Sequence, residues 1–165
     1  MKLEASNSLV RDALGLCGWI LLCFAVAGIA SRFTAMSLRD WYPGLRKPAL
    51  TPPGWVFGPV WSALYLMMAV AAWLVWLRRD RPERRRALAI FVFQLAVNAA
   101  WSGLFFGLKS PLAGLLDIAV LWCAVLAAAI AFAKINQAAG WMLAPYLGWV
   151  AFAGYLNAAI WLLNA

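Results

Sequence analysis

The sequence contains no histidine, and only one of its six acidic residues, Asp117, falls inside an apolar run. With no paired carboxylates in those runs, no nucleophile elbow and no phosphate-binding loop, general acid–base and nucleophilic catalysis lack their usual groups. Any turnover would have to come from the reactivity of a bound ligand. Cysteine is equally sparse: Cys17, Cys23 and Cys123 all lie in apolar runs, at spacings that fit neither a disulfide framework nor a zinc site. They read as small apolar residues, and neither a metal nor a required cofactor is expected. Charge is scarce as well, at 12% of residues against 66% hydrophobic and a mean hydropathy of +0.81. A soluble domain is about half apolar and about a quarter charged, so an ordinary soluble domain is excluded. The formal charge of +8 sits in short clusters between apolar runs. That pattern belongs to membrane topology and anionic lipid headgroups, not to nucleic acid.

What is present is a set of long apolar runs, at about 13–30, 56–77, 87–108, 112–133 and 141–163. Each is near the ~20 residues that cross hydrocarbon as a helix, and in lipid only helices and closed barrels satisfy the backbone. The expectation is one all-α domain over 1–165, a bundle of five transmembrane helices. Ala25 and Ala27 would suit signal-peptide cleavage, but the leading residues carry no net charge beyond the terminus, with Glu4 and Asp12 against Lys2 and Arg11. The first run is therefore read as a span. Five spans put the ends on opposite sides, with nine basic residues on the N-terminal side, six of them arginines within 78–86, and five on the other. The positive-inside rule then predicts a cytoplasmic N-terminus and an outward loop 31–54. Abundant alanine and arginine point to a GC-rich bacterial genome, and so the expected location is a bacterial cell membrane.

The stretch 41–61 organises the rest. It holds five of the eight prolines and three of the eleven tryptophans. So many aromatics and prolines predict an ordered lid over 31–54, not a disordered linker. Thr51 is expected to cap the second helix, with Pro52 and Pro53 in its first two positions, and Pro59 to bend it.

Helical spacing sorts the polar residues of the spans. In the third, Gln94, Asn98, Trp101 and Phe105 fall within a wedge of about 60°, while Ala96, Ala99, Gly103 and Gly107 take nearly the opposite face. The first face suits a pocket, or the amides bond neighbouring helices; the second is smooth enough for a homodimer through Ala99, Gly103 and Gly107. Pro145, Trp149, Ala153 and Asn157 form a stripe on the last span, matched by Trp61, Tyr65, Met68 and Ala72 on the second. Most tryptophans, Trp19, Trp41, Trp55, Trp73, Trp76, Trp141 and Trp161, lie near span ends, where indoles form an interfacial belt. Trp61, Trp101 and Trp149 are the inward candidates. Aromatic walls with a few amides suit a flat, polycyclic, mostly apolar ligand. Asp117 is predicted either to bond a nearby helix end or loop, or to serve ligand or proton chemistry.

Several motifs together resemble the translocator protein family, also called tryptophan-rich sensory proteins or peripheral-type benzodiazepine receptors. They are Trp41 and Tyr42 with Lys47 and Pro48; Thr51 to Gly54 running on to Trp61; Gln94 to Trp101 followed by Phe105, Phe106 and Gly107; Asp117; and Ala144 to Leu147 with Trp149, Phe152, Ala153 and Asn157. The resemblance implies five helices around a cavity, dimerisation, and binding of porphyrins, sterols and benzodiazepine-site drugs. By position, Tyr42, Pro52, Trp61, Asn98 and Trp149 match the family's ligand contacts, and Trp61 and Trp149 match tryptophans tied to light-dependent porphyrin breakdown. Tyr65, Trp101 and Ala153 join the ligand set by helical spacing. Ala49 and Leu50 depart from the family's polar and aromatic pair. No basic residue follows Tyr155, which lowers the expectation of a sterol site. The function so implied is a membrane receptor or carrier for tetrapyrroles, porphyrin or haem, with sterol-like and membrane lipids as further partners. The alternatives are a photo-oxidative porphyrin-degrading enzyme using Trp61 or Trp149, and a ligand-gated regulatory protein acting through the arginine turn.

Overall fold

The structure, a computed structural model, describes residues 2–165, with side chains from Ser8 onward. The side chains of Lys2 and Glu4, which enter the charge count, therefore lie outside the described ones. The chain forms α1 (Lys2–Ser37), a short 3-10 turn (Tyr42–Gly44), α2 (Gly54–Leu77), α3 (Arg84–Ser102) continued by a π-turn (Gly103–Gly107), α4 (Pro111–Ala133), α5 (Gln137–Met142) and α6 (Ala144–Asn164). Among the described residues there is no strand. Five helical segments are long and apolar enough to cross a membrane, the fifth being α5 and α6 together. This is a five-helix membrane bundle.

Where the helices depart from the apolar runs, local chemistry gives the reason. At 36 residues α1 is twice as long as the first run, about 54 Å at ~1.5 Å per residue, well beyond a hydrocarbon core of ~30 Å. Hydropathy marks where lipid is, whereas only a helix breaker marks where a helix stops, and no proline occurs before Pro43. The connection to α2 shrinks accordingly from 31–54 to 38–53. The expected Thr51 cap is not made: its hydroxyl donates to the Pro48 carbonyl at 2.8 Å, closing a turn before the helix. Pro53 stands at the N-cap instead, so neither Pro52 nor Pro53 is inside α2, while Pro59 is. Ser110 caps α4 by accepting from the Ala113 N–H at 3.2 Å, and Pro111 follows at the first helical position. Asn136 caps α5 in the same way, so helix begins at Gln137, in the gap between the apolar runs 112–133 and 141–163. The fifth span breaks between Met142 and Ala144, because Pro145 has no N–H to offer the preceding turn.

The bundle packs α1 against α2 and α3, α3 against α4, α4 against α6, and α5 against α4 and α2. Its core holds Met68, Val75, Phe91, Val125, Phe132 and Leu143, all fully buried, with Phe91 stacked on Phe132 at 5.4 Å. At the arginine-turn end α1 and α2 are tied together. The Trp73 indole donates to the Asp12 carbonyl at 2.8 Å, and Arg79 pairs with the Asp12 carboxylate at 3.1 Å. The backbone of α4 comes close at Gly140, where a Cβ would lie 2.6 Å from the Ala133 Cβ and 2.9 Å from the Ala129 carbonyl oxygen. Backbone cannot yield there as a side-chain tip can. Gly140→Ala is expected to cost about 1–3 kcal/mol in detergent unfolding, with any ligand affinity unchanged in the folded fraction.

Candidate functional site: a lidded aromatic cavity

The upper half of the bundle encloses a cavity of about 850 Å³ between α1, α2, α3 and α6, roofed by the 38–53 segment. All eight residues expected at a ligand site line it. Tyr42 and Pro52 come from the lid, Trp61 and Tyr65 from α2, Asn98 and Trp101 from α3, and Trp149 and Ala153 from α6. Helical periodicity brought the last six to one place, because each pair lies on the inward stripe of its helix.

The lid is held down by aromatic contacts and a few specific bonds. The Trp41 and Tyr42 rings meet Phe105 and Phe106 at 5.6 Å each, and Phe105 stacks on Trp101 at 5.2 Å. Trp41 is therefore packed, half-buried, on its own chain, whereas Trp55 and Trp141 are 76% and 70% exposed. Phe105 and Phe106 are presented by the π-turn, which closes with the Leu108 N–H donating to the Gly103 carbonyl at 2.8 Å. Lys109 then adopts the left-handed region, at φ 53°, and pairs with Asp40 at 3.2 Å. That hydrogen bond, and next the Trp41 N–H, hold the Asp40 carboxyl below its ordinary range. Ser37, at the end of α1, donates to the Phe106 carbonyl at 2.6 Å. Beyond Tyr42, Arg46 exchanges two backbone hydrogen bonds with the Asn164 amide, both at 2.9 Å. Burial raises the Tyr42 phenol above its usual range, so it stays a neutral hydroxyl.

The wall is aromatic and the floor is polar. Trp61 lies 5.6 Å from Tyr65 and 6.2 Å from Tyr146; Trp149 lies 5.9 Å from Phe57. Beneath them the Tyr65 hydroxyl donates to Asn98 Oδ1 at 2.5 Å, Asn98 Nδ2 donates to the Tyr146 hydroxyl at 2.8 Å, and that hydroxyl donates to Gln94 Oε1 at 3.2 Å. Asn98, only 4% exposed, thus bonds helices α2, α3 and α6 through both ends of its amide. Trp101 donates its indole N–H to Asn157 Oδ1 at 3.1 Å, and Asn157 Nδ2 donates to the Pro111 carbonyl at 2.6 Å. Of the smooth face of α3, Ala99 is half-buried and Gly103 has open space where a Cβ would stand. At Gly107 a Cβ would come within 3.1 Å of Phe33 on α1, so this glycine also serves an approach within the chain. Asp117 lies on α4, outside the cavity, and its buried Oδ2 makes no hydrogen bond.

The first helix is expected from the sequence to wall the cavity, but its lining residues are not named there; α1 contributes Phe24, Ala27, Gly28, Ser31 and Thr34. Their three- and four-residue spacing was the available signal. Lys47 was missed as a lining residue because only the folded lid turns it inward.

Fold and cavity together define a multi-pass helical membrane protein with a partly open, mostly apolar cavity of the size that small molecules fill. The sequence model described as the TspO/MBR family matches residues 19–162. The chain is 44% identical over 154 residues to the tryptophan-rich protein TspO of Archaeoglobus fulgidus, covering 93% of this chain and 99% of that one. It is 36% identical over 135 residues to the human translocator protein, covering 81% and 80%. To the tryptophan-rich sensory protein of Cereibacter sphaeroides it is 37% identical over 142 residues, covering 84% and 88%. The chain belongs to the TspO/MBR family.

Proposed function

We propose that this protein is a membrane receptor or carrier for tetrapyrroles, porphyrin or haem, with a sensory or transport role. The observation that carries the reading is the convergence of four helices and an ordered lid on one cavity of about 850 Å³ with aromatic walls and a hydrogen-bonded floor. A flat macrocycle would gain there by burial and by stacking on Trp61 and Trp149, while the polar chain below fixes its orientation. The names of the relatives, sensory and translocator, agree with such a role. A bacterial cell membrane, with the arginine turn inside and the lid outside, belongs to the same proposal, as does a homodimer through Ala99 and Gly103. A sterol-like lipid is the second candidate occupant.

The test is a titration with protoporphyrin IX in the dark, followed by tryptophan fluorescence. Saturable quenching near micromolar, about −8 kcal/mol, that weakens several-fold in Trp61→Phe is expected. Linear quenching equal in both proteins would show partition into detergent and refute the reading. A second reading, photo-oxidative breakdown of the porphyrin, is favoured by the exposure of both Trp61 and Trp149 to one cavity. Under illumination, bleaching of porphyrin that is lost in Trp61→Phe or Trp149→Phe would support it. Bleaching equal in all three proteins leaves the receptor.

A further inference from the structure

Lys47 is the one formally charged side chain among the described residues that line the cavity. It sits in the lid, half-buried, with its ammonium 4.6 Å from the centre of the Tyr42 ring. Two of its three N–H groups are directed to the Pro43 and Leu45 carbonyls, but at 3.4 and 3.3 Å these are long hydrogen bonds. No carboxylate pairs with it: the ion pairs among the described residues fall at Asp12, Asp40 and Asp80. The protein therefore places a cation without a counter-ion at the mouth of an apolar chamber, where desolvation makes an incoming anion a strong partner. Ser31, Thr34 and Thr51, which line the same cavity, spend their protons on the carbonyls of Gly28, Ala30 and Pro48.

We infer that Lys47 is the specificity-determining residue that selects ligands bearing a carboxylate, receiving that group under the lid while the apolar body of the ligand lies among Trp61, Phe57 and Trp149. The inference rests on the reading of the cavity as a porphyrin site and adds to it which end of the ligand faces the lid. A carboxylate would take the third ammonium N–H and displace one of the two long carbonyl contacts. The cation–π contact with Tyr42 can remain, so binding need not open the lid's aromatic base.

The experiment compares protoporphyrin IX, a dicarboxylic acid, with its dimethyl ester on the full chain in detergent, in the dark. Wild type is expected to bind the diacid about tenfold or more tightly than the diester. Lys47→Met is expected to abolish that ratio by weakening the diacid alone, and Lys47→Arg to restore most of it. Partition into micelles affects all variants alike and cancels when the ratios are compared. A merely structural role for Lys47 in ordering the lid would weaken both ligands to the same degree and leave the ratio intact, which would overturn the inference. Equal affinity of wild type for acid and ester would overturn it too. Should neither porphyrin saturate, the porphyrin reading itself fails. The anchor is then decided by the same ratio for the fluorescent polyene cis-parinaric acid and its methyl ester: a preference for the acid that disappears in Lys47→Met supports it, and its absence refutes it.

Discussion

Asn98→Leu is expected to destabilise the folded bundle by about 2–4 kcal/mol, the largest loss among single substitutions around the cavity that remove no apolar packing. The amide accepts from Tyr65 and donates to Tyr146, joining three helices at a point that is 4% exposed. Leucine keeps the branched shape, though it is larger, but leaves the Tyr65 proton without an acceptor and removes a donor from Tyr146, and an unmet buried polar group costs about 1–3 kcal/mol. The contrast lies in the pair. Adding Tyr65→Phe to Asn98→Leu removes the orphaned hydroxyl, so the double variant is expected to recover part of the loss and to be more stable than Asn98→Leu alone. Unfolding by a denaturing detergent, followed by helical circular dichroism, measures the cycle. If the single and double substitutions were simply additive, the amide would not be acting as a tie between helices.

Ala153→Trp is expected to reduce porphyrin binding by at least about 100-fold, with the fold intact. Ala153 lines the cavity one turn from Trp149, at the edge of the core, so a larger side chain can extend into the cavity. An indole there occupies the volume a macrocycle needs. Ala153→Leu fills less and is expected to fall between wild type and Ala153→Trp. Ala151→Trp, on the same helix at an exposed position outside the cavity, is expected to bind as wild type does. That control separates loss of volume from any general effect of one more tryptophan in α6.

Much of this arrangement can be read from the chain because a transmembrane helix turns sequence spacing into direction. Asn98 and Trp101, Trp61 and Tyr65, and Trp149 and Ala153 each fall on one stripe, and an inward stripe on three helices of a small bundle has only one interior to face. What escapes is decided by contacts between distant residues. Thr51 can cap a helix or close a turn on Pro48, and the folded lid selects the turn. The 3.6-residue period says nothing of the π-turn at Gly103–Gly107, which changes the register of Phe105 and Phe106 and lets them seat Trp41 and Tyr42. The amide of Asn98 is legible as an inward polar group, but whether it faces a ligand or ties helices depends on two tyrosines 33 and 48 positions away. The extent of α1 is hidden for another reason: its polar first third carries no breaker, so it stays helical where hydropathy has already fallen. Lys47 is part of a recognisable motif, yet only the course of the lid over the cavity gives it a task.

The most direct measurement is the binding isotherm of protoporphyrin IX in the dark for wild type, Ala153→Trp and Ala151→Trp side by side, each first shown to retain the wild-type unfolding free energy within about 1 kcal/mol. If the cavity is the tetrapyrrole site, wild type and Ala151→Trp give superimposable saturable curves and Ala153→Trp gives none in the same range. Three saturable curves of equal midpoint would place the porphyrin elsewhere on the protein and contradict a ligand site between α1, α2, α3 and α6.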